Sequence, residues 1–394
     1  MKQFQVIDRP KRLKEFIDRL HQGETVDQVK EDFQREFGSV SAGEIAQAER
    51  QLVEAGIPIE EVQRLCDVHQ TLFEEVVEEA TFEAGHPAFV FQKENEGIEE
   101  HLKKIETQLD DLADEKEEGY KELLTDLEKL RKIDTHYTRK ENLMFPYLEA
   151  KGITAPPKVM WGVDDEIRAE LKEVTDNVSQ RVSANEVALL LSPLIEKIRS
   201  MIGKENNILM PMLMENLTEE DWKVVARESR HIGYVFSDAI EGASPSDATV
   251  WETGETDLQL TGEIVLPSGQ FSLQELTTVL NTLPGDMTFV GKDDTVRYFS
   301  EGKDRIFPRT RTVIGRNVSN CHPPKSLSVV EELVEDFKAG RKDEESFWIQ
   351  RGDAFILIRY FAVRDGEEYL GVLEVSEDIS KLKKLEGEKR LLDE

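Results

Sequence analysis

Four long stretches with helical apolar spacing, roughly 87 to 114, 116 to 150, 157 to 179 and 184 to 215, follow one another with breaks only at "KGITAPP" and near Ser183. A helix that is apolar on one side must bury that side against other elements. Four such helices with short connections predict an up-down bundle, with a further short helix near 219 to 236 packed beside it.

The residues before the bundle read as short helices. Leu13, Phe16, Ile17 and Leu20 recur at helical spacing, Thr25 with Gln28 and Ser41 with Glu44 are capping-box pairs, and Gly56 followed by Pro58 ends one helix and begins the next. The last of these helices carries His69 on an apolar face with Leu65, Leu72 and Val76. After the bundle the composition changes. Residues 237 to 270, including "EGASPSDATVWETGETD", are rich in Gly, Ser, Thr, Asp and Pro and read as a linker.

A different pattern follows. Leu273, Leu276, Val279 and Leu283 mark a helix that ends at Pro284-Gly285, and "MTFVGKDDTVRYFS" predicts a hairpin around Lys292-Asp293-Asp294. Ser328 with Glu331 predicts the capping box of a second helix with Val330, Leu333 and Phe337 facing inward. Three strand-like runs, "SFWIQ", "AFILIRYFAV" and "YLGVLEVS", complete a small α+β domain with an antiparallel sheet. The expected fold class is therefore multidomain: an all-α region of 1–80, a four-helix bundle of 81–236, a linker of 237–270, an α+β domain of 271–380 and a terminal helix of 381–394. At 394 residues, the chain accommodates this division.

Charge narrows the partners. Eighty-one acidic against fifty basic residues give a formal net charge of −31, with no basic patch to attract nucleic acid or anionic lipid. The first twenty residues are charged throughout, and no apolar run approaches the ~20 residues of a spanning helix, so a soluble, cytoplasmic protein without membrane insertion is expected. The only two cysteines, Cys66 and Cys321, lie far apart with no second cysteine near either, so neither a disulfide framework nor a four-thiolate site is expected, and reduced thiols are the expectation.

Residues in all three segments resemble known families. "CDVHQTLFEE", with the helices before it, resembles the bacterial domain-of-unknown-function family 438. "THYTRKENLMFPYLE" and "KENNILMPML" resemble hemerythrin-like helices of the HHE cation-binding type, and "VRYFSEGKDRIFPRTRTVIGRNVSNCHPPKS" through "VLEVSEDIS" resembles a PAS domain.

The hemerythrin resemblance implies two irons held by histidines on four helices, with carboxylates one turn after two of them. Here the matching positions are altered. Asn95 stands at the first histidine position, His136 is kept but is followed by Lys140 where a carboxylate belongs, Asp164 replaces a histidine, and Met201 replaces another while Glu205 keeps its carboxylate. Glu141 lies about 140° around the helix from His136. Amide, ammonium and thioether are poor iron ligands, so a conventional di-iron centre is not expected. One reading places the Lys140 ammonium in the metal's position, paired with Asp164 and Glu205; the other keeps a residual metal site of His136, Asp164 and Glu205.

The remaining candidates concern haem. Cys321 and His322, just before Pro323-Pro324, are possible axial ligands in the PAS segment, against the simpler reading of a turn with local packing. His69, His86 and His136 form a second candidate set, against packed or capping histidines. No catalytic constellation stands out, so the chain is read as non-enzymatic. The leading expectation is a sensory or signalling protein whose PAS domain takes a small molecule or gas or forms a homodimer, and whose output passes to a protein partner. The alternative is a haem- or iron-binding sensor of oxygen, nitric oxide or redox state.

Overall fold

The computed structural model describes residues 82–112, 117–236, 262–303 and 305–387, together with the isolated positions 15, 19, 24, 29 and 32. Apart from those five positions, the predicted helices of 1–80, including the one with His69, lie outside the described residues, as do 237–261. The chain divides into two compact units, Met1–Gly254 and Glu255–Glu394.

In the first unit, helix α1 (Pro87–Asp111) starts at His86, whose Nδ1 accepts from the Ala88 amide at 3.1 Å, with Pro87 in a position that needs no donor. The second rod comprises α2 (Glu117–Leu130), α3 (Ile133–Arg139), a π-helical turn (Lys140–Met144) and α4 (Phe145–Ala150). The third is α5 (Ala155–Ser179). The fourth comprises α6 (Ala184–Lys204), a second π turn (Glu205–Leu209) and α7 (Met210–Asn216). A Ser183–Glu186 capping box begins α6, and a Thr218–Asp221 box begins α8 (Glu219–Ile232). α1 packs on α2, α2 on α5, α5 on α6 and α6 on α1, which closes the four-helix ring, while α8 lies against α1, α3 and the first π turn. The core is aliphatic, with Ile98, Leu102, Leu127, Ile167, Leu191 and Ile198 all fully buried. No described helix is long and apolar enough to cross a membrane.

Two of the expected continuous helices are thus interrupted by π turns. Each lies just before a proline, Pro146 or Pro211, in the next helix. Such a residue lacks an amide donor and crowds the carbonyl four residues earlier. The ladder widens instead: Phe145 donates to the Lys140 carbonyl and Met210 to the Glu205 carbonyl. Pro193 sits inside α6 without such a turn, so proline permits the π geometry without requiring it.

The second unit opens with a hairpin, β1 (Glu263–Leu266) and β2 (Gly269–Ser272), which corrects the expected linker: only 237–261 remain outside the described elements. Ser272 and Glu275 then cap α9 (Leu273–Thr282). Strands β3 (Asp286–Gly291), β4 (Val296–Phe299), β5 (Glu344–Arg351), β6 (Ala354–Asp365) and β7 (Glu368–Asp378) form one antiparallel sheet of order β4-β3-β7-β6-β5. The crossing helix α10 spans Pro324–Lys338, so Ser328 lies inside it and is not its cap; the proline pair ends the preceding turn and starts the helix five residues earlier than expected. Leu333, Val334 and Phe337 of α10 pack on Val372 of the sheet. The expected terminal helix is described only to residue 387, as a short 3-10 turn at Leu382–Lys384.

Candidate functional site

The apolar stripes of the four rods each carry a charged residue at one level of the bundle. On α1 the stripe through Phe91, Ile98 and Leu102 also contains Glu94 and Asn95; on the second rod it contains His136 and Lys140; on α5, Asp164; and on the fourth rod, Glu205. All six side chains are buried. The two π turns begin at Lys140 and Glu205, so the bulges set the rotation of both charged residues.

The Lys140 ammonium is the centre of one half of this cluster. Its Nζ lies 2.8 Å from Asp164 Oδ1 and 2.5 Å from Glu205 Oε1, and 4.3 Å from the centre of the Tyr137 ring. Burial pulls the Lys140 pKa down, but the Asp164 and Glu205 carboxylates outweigh it and hold the group above its ordinary value. Burial likewise opposes ionisation of Glu205, yet Lys140 and His136 bring it down to about 2. Asp164 is the weaker partner: burial outweighs Lys140 and Arg168 and pushes it up to about 6.

His136 is the centre of the other half. Nδ1 meets Glu94 Oε2 at 2.7 Å, Nε2 meets Glu205 Oε2 at 3.2 Å, and the ring stacks on Phe91 at 3.8 Å. With a carboxylate on each ring nitrogen, only the doubly protonated imidazolium can donate to both. Burial lowers the His136 pKa, but Glu205 and Glu94 raise it by more.

Sequence reasoning missed Glu94, Arg139 and Arg168. Arg139, 1% exposed, donates to Glu94 Oε1 at 2.6 Å, and Arg168 grips buried Glu141 with two bonds of 2.8 and 3.1 Å. Four acidic side chains, Glu94, Glu141, Asp164 and Glu205, thus face Arg139, Lys140, Arg168 and the His136 imidazolium, with burial pushing Glu141 up to about 8. The signal for Glu94 was its place in the α1 stripe. Glu141 had been set apart from His136, and it indeed turns to α5 instead. Four buried polar atoms of the cluster, Asn95 Oδ1, Tyr137 OH, Arg139 Nε and Asp164 Oδ2, have no hydrogen-bond partner among the described residues.

Glu94 also holds the backbone that leaves the bundle. The Val235 amide donates to its Oε1 at 2.9 Å, Arg139 Nη1 reaches the Gly233 carbonyl at 3.4 Å, and the Arg139 guanidinium lies 4.7 Å from the centre of the Tyr234 ring. This exit segment approaches α1 so closely that a Cβ on Gly97 would come within 2.3 Å of the Phe236 carbonyl oxygen.

The other candidates lie elsewhere. His86 is buried, stacks on Phe82 and uses Nδ1 as the α1 cap, and burial lowers its pKa to about 4. Met201 is fully buried in the aliphatic core, and Asn95 donates to Asn206 Oδ1 at 3.0 Å. Cys321 is half-buried, its Sγ 3.5 Å from the Asn317 carbonyl. His322 is held near 4 by burial and by the Arg309 and Arg316 cations. A cavity of about 420 Å³ in this unit is lined by Asn281–Asp286, Gly302, Lys303 and Arg305, and includes neither Cys321 nor His322.

Comparison with known families gives three matches in the expected order, the first two overlapping. Residues 13–79 match the family of unknown function DUF438, residues 60–213 the hemerythrin HHE cation binding domain, and residues 276–380 a PAS domain. The chain joins members of these three families. A solved C-terminal domain from Streptococcus mutans is 34% identical over 32% of this chain and 99% of that one, with a TM-score of 0.31. The sensor region of a sensor histidine kinase is 17% identical over 25% of this chain and 41% of that one, with a TM-score of 0.20. No curated protein matches.

The matched hemerythrin family is described by cation binding, and here Asp164 and Glu205 both hold the Lys140 ammonium. An ammonium already occupies the hydrogen-bonding space between Asp164 and Glu205, and it carries a positive charge that repels a second cation. Among the described residues no group of three or more His, Cys, Asp or Glu side chains has metal-holding geometry.

Proposed function

We propose that this chain is a sensory or signalling protein in which a PAS domain works together with a hemerythrin-like bundle that uses the Lys140 ammonium in place of a metal. The contact of Lys140 with both Asp164 and Glu205 carries this reading. An alkylammonium neither changes redox state nor binds oxygen as iron does, so the bundle's contribution is a fixed internal charge. That charge is joined through Glu205, His136 and Glu94 to the Val235 backbone, which leads toward the PAS domain. A PAS domain that takes a small molecule or serves in protein contact would supply the input.

The test is direct. Full-length protein purified from cells supplied with iron and haem is expected to show no Soret band and no stoichiometric iron. The double variant Lys140→Glu, Met201→His, which returns a carboxylate and an imidazole to the core, is expected to take up iron. Two irons or haem in the wild type would overturn the proposal in favour of a gas or redox sensor, and an iron-free double variant would show that the four helices do not align as argued.

A further inference from the structure

Strand β5 is the last strand of the five-stranded sheet, paired on one side with β6 and with no strand on the other among the described residues. It is also the most apolar exposed segment of its unit: Phe347, Trp348 and Ile349 are 39%, 64% and 44% exposed. An eight-residue edge strand with three adjacent exposed apolar residues is a template for another strand, and folded proteins either guard such edges or cover them. No proline, bulge or central charge guards this one.

The register of β5 shows which strand would fit. Ala362 donates to the Asp343 carbonyl, while the Phe355 amide turns away from β5 to Asp378 and Ser380. With Phe347 opposite Ile358 and Ile349 opposite Ile356, the alternation directs the backbone groups of odd-numbered β5 residues to β6. Those of Glu344, Ser346, Trp348 and Gln350 point outward from the sheet edge. In an antiparallel pair, outward-directed residues must face outward-directed residues, so a two-fold axis relating two copies of β5 must pass beside one residue.

We propose that β5 pairs with β5 of a second copy of this chain, antiparallel and centred on Trp348. In that register Phe347 faces the partner's Ile349, Glu345 faces the partner's Arg351, Ser346 faces the partner's Gln350, and the two Trp348 side chains meet on the opposite face of the sheet. Acid at one end of the strand, base at the other and an apolar centre make the sequence complementary to its own reversal. Moving the axis by one residue to Phe347 sets Glu345 against the partner's Ile349, which buries a charge on an apolar side chain. The product is one continuous ten-strand sheet.

Sedimentation equilibrium of the full-length chain tests this. The wild type is expected to be a dimer. Trp348→Glu, at an exposed position, is expected to weaken association at least about tenfold, with far-UV circular dichroism unchanged. Glu345→Arg is expected to weaken it similarly by opposing two cations, and Glu345→Arg with Arg351→Glu to restore it, since the pair is re-formed with reversed polarity. A monomeric wild type, a Trp348→Glu variant as dimeric as the wild type, or a double variant no tighter than Glu345→Arg would each overturn the proposal. None of these outcomes bears on metal content, so the bundle reading stands or falls separately.

Discussion

Replacing Lys140 with Met keeps most of the side-chain volume and removes the charge at the centre of the cluster. The pKa values set the scale of the loss. Glu205 is held at about 2 against an ordinary 4.5 by Lys140 and His136 together. That gap is worth on the order of 3–4 kcal/mol, and an even division assigns about 2 kcal/mol of it to Lys140. Asp164, already pushed up to about 6, loses its one hydrogen-bonded cation and rises above neutrality. Between about pH 6 and 7 the folded variant then keeps a proton on Asp164 that the wild type progressively releases, and this adds about 1 kcal/mol.

The expected destabilisation is therefore about 3 kcal/mol near pH 7 and about 2 kcal/mol near pH 6, the neutral value being at the low end of the ~3–5 kcal/mol range for a broken buried pair. The signs differ for the two groups. The depressed Glu205 pKa gives stability that is present above about 4.5 and lost as pH falls toward 2, so the gap closes in acid. The raised Asp164 pKa makes the fold favour the protonated acid, so stability falls as pH rises and the gap widens. Urea denaturation of variant and wild type at several pH values, followed by far-UV circular dichroism, measures both. The added variant Asp164→Asn should remove the widening above pH 6. A loss under about 1 kcal/mol at neutral pH, or one that shrinks as pH rises from about 6 to 7, would refute the charge assignment.

Two further outcomes follow from the same cluster. Glu94→Gln leaves Arg139 without its buried counter-charge and weakens the acceptor for Val235; a loss of about 3 kcal/mol is expected, with faster hydrogen exchange at the Val235 amide than at the aliphatic centre of the bundle, read by exchange mass spectrometry. His136→Gln removes an imidazolium whose pKa is raised in the fold, and the stability it contributes is full below an unfolded value of about 6.5 and is lost as pH rises through the folded value, so the gap between wild type and variant should narrow in alkali, measured by the same denaturation series.

Much of this architecture was legible in one dimension because it depends on local periodicity. The four helical stretches, their breaks at "KGITAPP" and Ser183, and the strand runs of the PAS domain each report which face of an element is apolar. The start of α10 is not legible locally because Ser328 with Glu331 satisfies the capping rule, while Pro323-Pro324 fixes the start five residues earlier. The hairpin at 263–272 was read as linker because four-residue strands show too little alternation to separate them from a Gly- and Ser-rich background.

The cluster divides in the same way. The residue types at Asn95, His136, Lys140, Asp164, Met201 and Glu205 were fixed by the sequence, and their chemistry alone argued against a conventional di-iron centre. Only the tertiary structure decided who meets whom. Glu94 binds Val235 across 141 positions of sequence, Arg139 binds the Gly233 carbonyl, and Arg168 draws Glu141 toward α5. No periodicity reports such pairs. A buried charge must find a partner, but which partner it finds depends on how four helices rotate about their axes, and the π turns at Lys140 and Glu205 set that rotation.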